Sequence, residues 1–348
     1  MAKRITIGDV AAQAGVSVAT VSKVLNGRYG VAKATSTRVK AVIDELGYES
    51  SLIARSLRSQ RTNVLGILVA DFEPFSTELL KGAALAIRGS GYEVVVYSGG
   101  HGHDQTGWER RYMSRLSGTL TDGTILVTPT VVDVVNDSPV VAVDAHTGSS
   151  GMPTVASDNL KGAMVATEHL IGLGHRRIGF LAGRPDLESA QLREQGYRQA
   201  LAAAGIAVDP ELVLVGGYTA ADAAAPARQL LEMDSPPTAI FAANDLSAIE
   251  TIEVAQGLGL RVPDDVSVVG FDNVPESALI EPSLTTIDQS IQQMGFEAVR
   301  LLIGQIEDPS RPPVHVTLPT ELVVRQSSGP PGGPPGGGTG GPRAEGPR

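Results

Sequence analysis

Residues 7–26 read IGDVAAQAGVSVATVSKVLN, and this spacing of small, apolar and capping residues decides the fold of the N-terminal region. Thr6 stands where it can cap a first helix. Asp9 follows at the third helical position, where the helix dipole favours negative charge. Val10, Ala11 and Ala14 share one helical face. Gly15 then supplies a left-handed turn, a conformation that costs other residues about 1–2 kcal/mol. Val16 tucks under that turn and Ser17 caps a second helix, from which Val21, Val24 and Leu25 point back at the first. Small Ala11 lets the two helices approach closely. A third helix over 36–46 offers Val39, Ile43 and Leu46 as its core face.

Two helices joined by such a turn, with a third behind them, predict a helix-turn-helix head whose second helix enters the major groove. The outward residues of that helix are Val18, Ala19 and Lys23, with Thr20, Ser22 and Asn26 beside them. Lys23 can donate to guanine O6 and N7, whereas Val18 and Ala19 offer only apolar contact to thymine methyls. Ser17, Thr20 and Asn26 suit phosphate contacts, which position without reading sequence. Thr6 and Ser22 complete the candidate DNA-facing set. Charge agrees with this reading: the first 62 residues carry +6 and the remainder −16, within a total of −10. A basic head on an acidic body predicts a polyanionic partner for the head alone.

From Asn63 the texture changes. Apolar runs at 64–70, 93–97, 124–127, 139–143, 177–182, 212–215, 238–242 and 266–270 alternate with helical patterns. Near-continuous apolar strands alternating with helices predict parallel sheets covered on both faces, here in two doubly wound lobes. The expected division is a head over 1–47, a hinge over 48–62 and an effector-binding body over 63–326. Within the body, one lobe takes 63–158 plus 291–326 and the other 159–290. A Gly/Pro-rich tail over 327–348 cannot bury apolar surface and is expected to be disordered.

Several function classes are disfavoured. The 348 residues include no cysteine, which removes disulfides and thiolate chemistry and suits a cytoplasmic protein. Lys3 and Arg4 are followed by polar Thr6, Gly8 and Asp9 rather than an apolar run, so neither a secretory signal nor a membrane span is expected. The six histidines form no ligand set, since His101 and His103 have only Asp104 near them. No phosphate-binding loop follows the first strand and no nucleophile elbow is present, so no metal, cofactor or catalytic residue is expected. Acidic Asp71 and Glu73 stand where a dehydrogenase would need a phosphate loop.

Further segments resemble the LacI/GalR family of transcription regulators. They are Ala54-Arg-Ser-Leu-Arg58, Asn159-Leu-Lys-Gly-Ala163, Leu173-Gly-His-Arg-Arg-Ile178, Arg193-Glu-Gln-Gly-Tyr197, Ala243-Asn-Asp245, Val262-Pro-Asp-Asp-Val-Ser267, Gly270-Phe-Asp272 and Pro282-Ser-Leu-Thr-Thr-Ile287. With the head they run in family order over about residues 5–325. The resemblance implies a small all-α head on a two-lobed α/β body of the periplasmic-binding-protein type. It implies a homodimeric repressor of a palindromic operator, controlled by a small, sugar-like effector. It implies that Leu57 of a hinge helix wedges into a minor-groove base step with Arg55 and Arg58 near the backbone, kinking the duplex. It also implies an effector set of Asp71, Phe72, Phe75, Ser76, Asp144, Arg193, Asn244 and Asp272. Tyr218 is a candidate further aromatic, and Trp108, which opens a helix pattern, is read as a packing residue. All but Arg193 of that main set follow strand patterns, where open α/β sheets bind ligands. Two departures stand out. Glu49-Ser50-Ser51 replaces the usual Pro-Asn before the hinge, and 129–138 is too short for a full helix. The rival readings are a transport-type sugar-binding protein without a transcriptional role and an α/β enzyme.

Overall fold

The computed structural model describes residues 5–25, 29–46, 48, 61–99, 108–116, 120–130, 138–145 and 151–332. It divides into two compact units, Met1–Thr62 and Asn63–Arg348.

In the first unit, α1 (Ile7–Ala14), α2 (Val18–Leu25) and α3 (Lys33–Leu46) pack around Val10, Ala11, Ala14, Val21, Val24, Val39 and Val42. Thr6 and Asp9 form a reciprocal cap: the Asp9 amide donates to Thr6 Oγ1 at 3.4 Å and the Thr6 amide to Asp9 Oδ2 at 2.8 Å. Gly15 ends α1 at φ +64°, and the Val16 amide returns to the Ala11 carbonyl at 3.0 Å. Ser17 Oγ accepts from the Thr20 amide at 3.2 Å, so the expected cap of α2 is present. Two details differ from expectation. Leu25 is 37% exposed, because it lies about 100° around α2 from buried Val24. The third helix begins at Lys33, and Val42 takes the buried position while Ile43 and Leu46 are only partly covered.

The second unit contains β1 (Val64–Val69), α4 (Pro74–Ala86), β2 (Glu93–Ser98), α5 (Trp108–Leu116), β3 (Gly123–Val127), β4 (Val140–Val143), β5 (Thr154–Ser157) and α6 (Asn159–Gly172). It continues with β6 (Ile178–Ala182), α7 (Glu188–Ala203), β7 (Val213–Val215), α8 (Ala220–Leu231), β8 (Ala239–Ala242), α9 (Asp245–Gly257) and β9 (Ser267–Val269). It closes with β10 (Thr286–Asp288), α10 (Ile291–Glu307), β11 (His315–Leu318) and β12 (Glu321–Val323). One parallel sheet runs β11-β5-β4-β3-β1-β2 and the other β7-β6-β8-β9. Strands β10 and β12 pair antiparallel as a separate ribbon. Every apolar run read as a strand contains one. Strands β1, β3, β6 and β8 are buried along their whole length, as strands covered on both faces must be.

Strands β5, β10, β11 and β12 lie outside the expected set. They are three or four residues long and mix polar with apolar residues, so no apolar run marks them. They belong to the places where the chain passes between the lobes, near 157–159, 288–291 and 318–327.

The segment expected to be disordered from 327 packs against the body at its start, over 327–329. Ser327 is fully buried, its carbonyl accepts from the Val268 amide at 2.8 Å, and its hydroxyl donates to the Val268 carbonyl at 2.6 Å. Beyond it, Ser328 Oγ meets His169 Nε2 at 2.9 Å, and the Gly329 carbonyl meets His175 Nε2 at 2.9 Å and Ser267 Oγ at 3.0 Å. The strap therefore covers the free edge of β9, and polar rather than apolar burial holds it.

Burial lowers the pKa of both His169 and His175. A histidine depressed on folding contributes stability that is complete above its unfolded pKa and is lost as pH falls toward its folded value. Buried Asp245, pushed up to about 7 chiefly by desolvation, pulls the opposite way over the same interval. The difference between His175→Gln and the parent is therefore the informative quantity. From pH 7 down to 5 the melting temperature of the variant should rise relative to that of the parent, because the variant lacks the loss that His175 contributes. Parallel pH profiles would remove this account of the strap.

Candidate functional site

On the head, Val18, Ala19 and Lys23 are exposed, with Val18 at 45%. Thr20 and Ser22 are half-buried, and Thr20 Oγ1 pairs with Ser17 Oγ at 2.9 Å. The Thr6 hydroxyl is engaged by Asp9 at 2.6 Å, so its capping role is the one visible in the unit itself. Tyr29, absent from the candidate set, stands fully exposed in the turn after α2. Asn26, Arg55, Leu57 and Arg58 lie outside the described residues.

In the body, the C-terminal ends of the strands enclose a cavity of about 230 Å³ between the lobes. Asp71, Phe75, Asp144, Arg193, Tyr218, Asn244 and Asp272 all line it. Phe72 and Ser76 do not. Phe72 is 55% exposed, and Ser76 is buried in the first turn of α4 with its hydroxyl on Glu73 Oε1. Trp108 opens α5, but its side chain is outside the described set. The cavity also takes in Glu73, Thr128, Thr130, Ser189 and Gln289. Glu73 carries one legible signal, its place just before Pro74 at a helix start. Gln289 carries none, since no apolar run marks the short strand before it.

Arg193 organises the floor. It comes from α7 and is 3% exposed. Its Nε donates to Asn159 Oδ1 at 2.8 Å and its Nη1 to the Ala243 carbonyl at 2.5 Å. Nη1 also lies 3.4 Å from Asp272 Oδ1, and Nη2 lies 3.5 Å from Gln289 Oε1. The guanidinium stacks on Phe271 with its carbon 3.8 Å from the ring centroid. Gln289 bridges the lobe connections: Ser157 Oγ donates to its Oε1 at 2.8 Å, and its Nε2 donates to Asp272. Asn244 caps α9, its Oδ1 accepting from the Ser247 amide at 3.0 Å while Nδ2 donates to the Tyr218 carbonyl at 3.0 Å.

The electrostatics follow from burial. Desolvation raises the pKa of Asp144 and, further, of Asp272; Arg193 opposes it in both. Desolvation also raises Glu73 and the Tyr218 phenol. Asp144 Oδ1 and Tyr218 Oη are buried without a hydrogen bond of good geometry, Ser189 being the polar neighbour of the phenol. Thr128, Asp144 and Asp272 have φ of +46°, +46° and +121°, so backbone strain concentrates at the strand ends that face the cavity. Such a wall offers acceptors, a stacking cation and aromatic faces. It suits a ligand rich in hydroxyl donors and disfavours a phosphate.

The described residues contain no cluster of three or more His, Cys, Asp or Glu able to hold a metal ion, and no helix long and apolar enough to cross a membrane.

Comparison with known proteins gives two family matches: bacterial regulatory proteins of the lacI family over residues 6–51, and a periplasmic binding protein-like domain over 167–328. The HTH-type transcriptional regulator CelR of Thermobifida fusca is 35% identical over 93% of this chain and 98% of its own. The HTH-type transcriptional repressor CytR of Escherichia coli K12 is 32% identical over 93% and 96%. Among solved structures, a CelR–cellobiose complex matches at TM-score 0.71 and 34% identity over 93% of this chain and 100% of its own. A lac repressor dimer bound to operator and the anti-inducer ONPF matches at TM-score 0.82 and 26% identity over 94% and 100%. These relatives are regulators, not enzymes. The α/β enzyme reading is set aside on that account, and the basic head sets aside the transport protein. The described head, the two parallel-sheet lobes with a polar cleft between them, and these matches along nearly the whole chain agree: the protein belongs to the LacI family of DNA-binding transcription regulators.

Proposed function

We propose that this chain is a cytoplasmic homodimeric repressor that grips a palindromic operator with paired heads and hinges and is controlled by a sugar-like effector in the cleft. The observation that carries the effector reading is the Arg193 floor, where one stacked guanidinium, Asp272, Gln289 and Asn244 converge beneath Tyr218 and Phe75. A sugar presents hydroxyl donors to carboxylates and an apolar ring face to an aromatic. Two-fold symmetry of the dimer requires a two-fold operator. In this reading Val18, Ala19 and Lys23 read bases, Thr6, Ser17, Thr20, Ser22 and Asn26 support the backbone contacts, and Leu57 supplies the kink between Arg55 and Arg58.

The test is operator selection from random DNA, followed by titration of the selected site with cellobiose, ribose and other sugars. The selected site should be palindromic. An effector should change operator affinity by about 5–150-fold, the range of a coupling of about 1–3 kcal/mol, and operator should change effector affinity by the same factor. Leu57→Ala should weaken the operator complex and reduce its bend. No binding to palindromic DNA at low salt would overturn the proposal, as would a bend untouched by Leu57→Ala.

A further inference from the structure

Building on the reading of the cleft as the effector site, we propose that Gln289 is a positioning residue whose side-chain amide sets the Asp272 carboxyl and the Arg193 guanidinium for the effector. Gln289 needs no contact with the ligand and acts through these two neighbours. It follows β10 directly and is fully buried. Its Nε2 donates to Asp272 Oδ1. Its Oε1 accepts from Ser157 Oγ at 2.8 Å and lies 3.5 Å from Arg193 Nη2. Ser157 ends β5 in one lobe, whereas Asp272 follows β9 and Arg193 lies in α7 of the other. One amide thus joins both lobes at the cleft floor.

The neighbours admit one orientation of that amide. A guanidinium only donates, so Arg193 must face the amide oxygen. Turned over, the amide would set its NH2 against Arg193 and its oxygen against an Asp272 oxygen. Two donors therefore converge on Asp272 Oδ1, one from Gln289 and one from Arg193. The Arg193 contact, at 3.4 Å, is longer than an ordinary N–H to oxygen hydrogen bond, so the closer Gln289 amide is the one that fixes the carboxyl plane. Groups that meet a ligand work only when their own partners lock them in place. Arg193, Asp144, Asp245 and Glu73 all act on the charge of Asp272, but of the residues around it Gln289 alone offers a neutral donor to the carboxyl.

The test compares two variants of the full-length protein with the parent, using cellobiose as the probe. Gln289→Met removes both halves of the amide and should weaken cellobiose binding about tenfold. Gln289→Glu sets a second carboxyl against Asp272. The pair can keep a hydrogen bond only while it shares a proton. Binding by this variant should therefore lie within about threefold of the parent at pH 6 and fall at least about tenfold below it at pH 8. Reading each variant as a ratio to the parent at the same pH cancels the charges common to both. A residue that merely fills space would give the Glu variant the same ratio at both pH values, and that result would overturn the proposal. So would a Gln289→Met variant that binds within about twofold of the parent. Should Gln289→Met fail to fold, the pH contrast of Gln289→Glu decides alone. If the parent binds no cellobiose, the choice of sugar fails separately. The Asp272 carboxyl is then titrated by its carbon NMR signal in the unliganded protein. Loss of a donor to the charged form should raise its midpoint in Gln289→Met, and an unchanged or lower midpoint would sink the assignment.

Discussion

Arg193→Ala is expected to lower stability by about 3–5 kcal/mol, the range for removing one member of a buried charged pair. It should also abolish effector binding. Asn159 Oδ1 and the Ala243 carbonyl each lose a donor, Phe271 loses its stacked cation, and buried Asp272 loses its nearby positive charge. The deficit has a pH signature. Arg193 holds down carboxylates that burial pushes up, so without it Asp144 and Asp272 bind protons more readily. The penalty should therefore widen as pH rises from 5 to 8, where those carboxylates must ionise unaided. Arg193→Lys should recover little, because an ammonium can neither stack flat on Phe271 nor reach its partners as a fork. Urea unfolding at several pH values with sugar titration measures both effects. A loss below about 1 kcal/mol, typical of a neutral contact, would show that the floor is not organised by this residue.

The second large effect is expected from Gly82→Ala. Helices α4 and α10 cross so closely that a Cβ on Gly82 would lie 1.7 Å from the Gln292 carbonyl oxygen, and one on Gly295 would lie 2.1 Å from the Leu79 carbonyl oxygen. Backbone atoms cannot swing away as a side chain can. The helices must separate and open the core around Leu79, Ala83, Met294 and Ala298. Overpacking costs about 1–3 kcal/mol and sometimes more. We expect about 3 kcal/mol here, even after the gain of about 1 kcal/mol that alanine brings to a helix. Gly257→Ala in α9 is the control, since a Cβ added there would meet nothing within 4 Å. That variant should be neutral or more stable. Thermal unfolding of the two variants side by side decides the matter, and similar melting temperatures would refute the close crossing.

Much of this molecule is legible in the chain because its signals are local. The Thr6–Asp9 cap, the Gly15 turn and the Val10, Ala11, Val21 contacts involve residues within one or two helical turns or across one short loop. The longer strands of both sheets announce themselves because burial on both faces demands unbroken apolar runs. Six of the seven effector-set residues at the cavity meet there for a related reason, since strand ends in such sheets converge, and Arg193 joins them from α7. Phe72 and Ser76 fall outside it: Phe72 stands exposed before the start of α4, and Ser76 lies in the first turn of α4 with its hydroxyl on Glu73 Oε1.

By itself, then, the sequence determined the head and the two-lobe class, which follow from periodicity, capping and charge read over short spans, while its resemblance to the LacI/GalR family pointed to most of the residues that line the cleft. Only the tertiary structure decided what depends on partners far apart in the chain. Gln289 joins the floor because Ser157 and Asp272 meet it from both sides. Ser327 is buried rather than free because Val268 leaves an open strand edge. Glu109 holds Thr130 across a separation of 21 residues. A polar residue has no periodicity to betray its burial: it becomes structural only when folding brings it the one donor or acceptor that offsets its loss of water.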